Sequence, residues 1–273
     1  MKDEDQTGKE QAAGPDDTHR PGTPEEEGLA EDQAPARVED AEPGEEEAGE
    51  EVEFDLDAQI AEFRRQIEED PGNCVHYYNL GEALADLGDL EAANQEFESA
   101  LQRDADGSFG AIIHFGIGGL RFRQLMRGIS SNVVKSSVGL MSSHKDKASI
   151  TDVNEGEYEA PIREFEMAIR DLPKLKADEE IVDYVSKNAP LQIAGGYYKW
   201  ASDLIDKSRQ LTDYGGEIRD VQKAVQLLRK TLEIDPNYSA AHLLLKVAKK
   251  MLAEGWRVFD DNGFLAKEIR GLD

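Results

Sequence analysis

Very few residues in this chain of 273 are spaced for chemistry. The histidines, His19, His76, His114, His144 and His242, are scattered. None falls in the H-E-x-x-H spacing that sets two imidazoles on one helix face to hold zinc. Ser142 and Lys145 share the S-x-x-K spacing in which a lysine serves an acylating serine, but the companion S-D-N and K-T-G motifs are missing. Asp260, Asp261, Asn262 and Gly263 resemble part of a calcium loop. With Gly263 at the sharp turn, Val258 and Ile269 stand where the first and last oxygen ligands belong, which excludes that site. Gly116, Gly118 and Gly119 follow no strand and form no phosphate loop. Cys74 is the only cysteine, so there is neither an internal disulfide nor a cysteine-rich zinc site. The expectation is a protein with no catalytic residues, no cofactor and no metal. An unrecognised active site in the irregular stretch 107–160 is kept as the rival.

Charge divides the chain before any element does. The net charge is −27. Residues 1–55 hold 21 of the 58 acidic residues but four of the 31 lysines and arginines. That segment is rich in Glu, Asp, Gly, Pro and Ala, and its single aromatic is Phe54. It offers too little apolar surface to offset the entropy of ordering, so a disordered acidic arm is expected over 1–55. Such an arm serves solubility, or attracts a basic partner, or mimics nucleic acid on a basic surface. The first residues, Met1 to Asp5, lack the apolar core of an export signal. No run of about 20 apolar residues occurs, so no spanning helix is expected. A cytoplasmic setting fits the lone cysteine.

After the arm, helical periodicity starts. Leu56, Ile60, Phe63 and Ile67 recur at steps of three and four, and Pro71, Gly72 and Asn73 end that helix. Two helices then follow around a turn at Gly88 and Asp89. The first carries Tyr77, Leu80, Gly81 and Leu84, and the second Ala93, Phe97, Ala100 and Leu101. Leu80 and Leu84 are expected inside. Gly81 and Ala93 are small enough for close helix approach, and Phe97 should fill the gap to the next pair.

This arrangement resembles the tetratricopeptide repeat (TPR), in which W-x2-L-G-x2-Y, A-x3-F and a proline recur with a period of about 34 residues. Ala105 stands in the proline's place. Half-motifs follow: Phe165, Ala168 and Pro173, then Ala224, Leu228, Leu232 and Pro236 as second helices. Candidate first helices are Ile112, Phe115 and Gly116, then Leu191, Ala194, Gly195 and Tyr198. The chain is about 25 residues too long for the period between Gly116 and Phe165, and about 15 too long between Tyr198 and Ala224. Interruptions or lengthened helices are therefore expected. The implied fold is all-α, a TPR-like helical-repeat solenoid over 56–255 with an insertion around 120–155, followed by a capping segment at 256–273.

What the resemblance implies is recognition. First helices of such stacks line a concave groove for partner peptides or helices. Tyr78, Asn79, Glu82 and Asp86 are the expected groove residues. Asn79 matches the asparagine with which some family members clamp a C-terminal carboxylate, but the basic companions are lacking. From Gly107 to Lys145 the chain has no Asp or Glu, so Arg121, Arg123, Arg127 and Lys135 form a candidate basic surface. The apolar run Phe109 to Leu120 reads as core rather than membrane contact. The expected partners are other proteins, basic ones included, with no direct nucleic-acid binding. The function expected is that of a scaffold, adaptor or assembly factor. The alternative is an acidic TPR chaperone shielding a basic client.

Overall fold

A computed structural model describes residues 55–139, 153–211, 215–260 and 262–272, without the side chains of 129–139. The acidic arm, except Asp55, lies outside them, as do Ser142, His144 and Lys145. The elements are α1 (Leu56–Glu69), α2 (Cys74–Leu87), α3 (Leu90–Arg103), α4 (Gly110–Gly139), α5 (Glu155–Asp171), α6 (Glu179–Ser208), α7 (Glu217–Ile234), α8 (Ser239–Glu254), β1 (Trp256–Phe259) and β2 (Leu265–Ile269). Each helix packs on its sequence neighbours.

Local chemistry sets the boundaries. Asp55, Asn73, Asp89 and Asn154 each accept a hydrogen bond from a first-turn backbone amide, capping α1, α2, α3 and α5. Gly88 ends α2 at φ +94°, a left-handed conformation that suits glycine. At the α1–α2 turn, Tyr77 and Arg103 both donate to the Pro71 carbonyl, and the Arg103 guanidinium lies 3.9 Å from the Tyr77 ring centre.

The signature residues interlock as their sizes demand. Leu80, Leu84, Ala93, Phe97 and Ala100 are buried. A methyl group on Gly81 would come within 2.9 Å of the Phe97 ring, and one on Gly116 of α4 would meet the same ring at 2.9 Å. Phe97 thus wedges between its own pair and the next. Phe165 of α5 repeats the device against Gly118 at 2.8 Å. The excess length over the repeat period is resolved by the two first helices α4 and α6, each 30 residues long. The stretch read as an insertion from residue 120 therefore begins as the continuation of α4.

One register needs correction. Leu191 is half exposed and a methyl on Gly195 would meet open space. Ala194 is buried as expected, but beside it Ile193, Gly196 and Trp200 turn inward, and a methyl on Gly196 would meet Ile162 at 2.9 Å. Among the described residues the apolar interior forms three clusters. One joins α1 to α4, the second α5 to the first half of α6, and the third joins Leu125 of α4 and Tyr158 of α5 to α6, α7 and α8 around Trp200, Leu204, Leu228 and Met251. Segment 256–273, expected as a cap, carries an antiparallel hairpin, the only strands among the described residues. Trp256 donates to the Ser208 carbonyl, and Lys267 pairs with buried Glu217, so the hairpin is pinned where α6 ends and α7 begins.

Candidate functional site

The first helices α2, α4 and α6 border a common trough. At one end a cavity of about 100 Å³ is walled by Cys74, Val75, Tyr78, Phe109, Ile112 and Ile181, nearly all carbon. A second cavity, of about 250 Å³, is lined by Glu82, Phe115, Gly119, Arg123, Tyr184 and Gln192. Three of the four expected groove residues line or rim these cavities. Tyr78 and Asn79 border the first, Glu82 the second, and Asp86 forms an ion pair with Arg123 at 3.0 Å. Tyr78 and Glu82 are four apart on α2 and share a face.

Apolar side chains stand on both banks of the trough. Tyr78 stands 5.9 Å from Phe97, ring centre to ring centre. On the α6 bank, Ile181 is 39% and Tyr184 55% exposed, and Tyr184 meets Phe115 edge-on at 5.5 Å. Burial raises the pKa of the Tyr78 phenol, and the negative charge of Glu82 adds to this. Burial likewise raises the Glu82 carboxyl, with nearby Arg123 opposing it. The Glu82 carboxylate lies against the backbone of α4: a methyl on Gly116 would be 2.6 Å from it.

The candidate basic surface is not one open patch. Arg121 pairs with buried Glu164 at 3.3 Å, and His114 meets the same carboxylate at 2.9 Å. Arg123 is tied to Asp86. Arg127 donates to the Gly88 carbonyl at 2.8 Å, holding α4 to the end of α2. These three arginines join helices to one another. Lys135 lies on α4, its side chain outside the described residues. The absence of acid from 107 to 145 hid these pairings, because each partner lies beyond that stretch.

Sequence reasoning missed the α6 bank. Ile181 and Tyr184 are three apart, a helical spacing, but a stripe of that kind reads equally as core. Cys74 opens α2 and is buried, and burial raises its thiol pKa. Among the described residues, no group of three or more His, Cys, Asp or Glu side chains could hold a metal ion. No described helix is long and apolar enough to cross a membrane.

Residues 77–106 match the tetratricopeptide repeat family model. No curated protein matches the sequence. Among solved structures, the chain is similar to one in the APC/C hetero-tetramer Cut9–Hcn1, with 16% identity and a TM-score of 0.26. That match covers 71% of this chain and 39% of the other, so the chain spans well under half the length of that relative. It is also similar to a TPR-repeats protein from Bacteroides fragilis, at 12% identity and a TM-score of 0.23, over 72% of this chain and 91% of that one. Repeat stacks of this kind present extended surfaces to other proteins. With a matched repeat at 77–106 and helices packed in sequence order on either side of it, the chain carries a tetratricopeptide repeat, a unit of protein–protein interaction, within a helical stack.

Proposed function

We propose that the chain binds a partner protein in the trough between α2, α4 and α6, through Tyr78, Asn79, Glu82 and Asp86 on one bank and Ile181 and Tyr184 on the other, without catalysing a reaction. The observation that carries this reading is the exposure of Ile181 and Tyr184 beside two cavities. Apolar side chains left in water next to a concave surface gain free energy when a partner covers them. The test places a photo-crosslinking side chain at position 79 of the full chain and compares it with the same probe at exposed Leu243. Partners captured only from position 79, and lost on Ile181→Glu, support the trough. Equal capture from both positions, or capture indifferent to Ile181→Glu, sinks it.

The net charge of −27 favours a second reading, that of a chaperone for a basic client. It predicts suppression of a basic protein's aggregation at less than one chain per client, which a passive scaffold does not give.

A further inference from the structure

Resting on the trough reading, the geometry points to a basic occupant: we infer that the partner segment sets an apolar side chain into the Tyr78–Ile181 cavity and a lysine or arginine beside Glu82, about one helical turn away. The first half of this pattern follows from the smaller cavity. Its walls of Val75, Tyr78, Phe109, Ile112 and Ile181 offer few polar groups, so a charged or amide side chain would lose its hydration there without replacement.

The second half follows from the charges. Glu82 has no ion-pair partner among the described residues, because the guanidinium of Arg123 reaches Asp86 instead. Its carboxylate is mostly buried and faces the larger cavity. Among the described residues, Arg123 is the one cation lining these two cavities, and it is bound to Asp86. With Glu82 and Asp86 set against Arg123, the trough keeps one carboxylate in excess, and a cationic side chain gives Glu82 a direct ion-pair partner. An acidic segment would meet this excess with the one lining cation already engaged.

The experiment pans a random 12-residue peptide library on the full chain, then titrates selected peptides by fluorescence anisotropy. Selected sequences are expected to pair an aliphatic or aromatic residue with Lys or Arg three or four positions away. Glu82→Gln should weaken them about tenfold, as should Gln in place of the peptide's basic residue. The two changes together should cost little more than either alone, since they remove one contact. Additive effects, selected peptides lacking a basic residue, or no selected peptide at all would overturn the inference. Ile181→Glu separates the two levels. Binding lost with Ile181→Glu but unmoved by Glu82→Gln leaves the trough standing and removes the basic class. Binding unmoved by either removes both.

Discussion

The α2–α3 pair and the α6–α7 pair solve one packing problem with different residues. In α2–α3, a glycine admits an aromatic ring: Gly81 receives Phe97. In α6–α7, small and hydroxyl-bearing residues bring the helices together. Ala194, Ala201 and Ala224 are fully buried, and the Thr231 hydroxyl donates to the Ala194 carbonyl at 3.3 Å. Leu228 fills the place that Phe97 holds in the earlier pair. The two pairs show that a repeat signature records one way of achieving close approach. The family model matches 77–106, where the glycine and the ring are both present.

The comparison breaks most sharply at the ring. Phe97→Ala should cost about 3–5 kcal/mol, because the wedge touches two helix pairs and leaves a cavity between them. Leu228→Ala should cost about 2–5 kcal/mol, and equilibrium urea unfolding of both variants measures the difference. Equal losses would mean that the α2–α3 device is no more central than its counterpart. Next comes Gly81→Ala. Alanine improves helix propensity by about 1 kcal/mol, yet the methyl meets Phe97 at 2.9 Å, so a net loss of about 1–2 kcal/mol is expected in the same assay. Asp89→Ala, which removes the cap of α3, should lower stability by about 1 kcal/mol. The smallest effect has the opposite sign. Gly195→Ala, on the open side of α6, should stabilise by about 0.4–1 kcal/mol, read as a rise in Tm. A loss at Gly195 would show that α6 hides a close contact and is more like α2 than its residues suggest.

Legibility follows the same divide. Around Tyr77 to Phe97 the apolar positions, the turn and the small residues all agree, so both helices and their inward faces could be read before the structure. On α6 the apolar positions surround the helix, because it packs on α5, α7 and α8, and a helix buried on several sides has no single stripe to give its register. Leu191 and Gly195 therefore match the motif spacing, while Ile193 and Gly196 are the residues that pack inward. The α2 bank of the trough was legible as the outward neighbours of signature residues. The α6 bank was not, since exposure of Ile181 and Tyr184 depends on what fails to pack against them. The hairpin is short, and its anchors, Trp256 on Ser208 and Lys267 on Glu217, join residues about 50 apart in sequence.

The division of the interior into three clusters also has a mechanical meaning. A stack held by nearest-neighbour contacts behaves as stiff links in series, so a pull along it is resisted one junction at a time. The trough crosses such a junction, because Tyr78 belongs to the first cluster's helices and Ile181 to the start of α6. A segment gripping both banks would act as a splint across the joint, stiffening the array between two of its clusters.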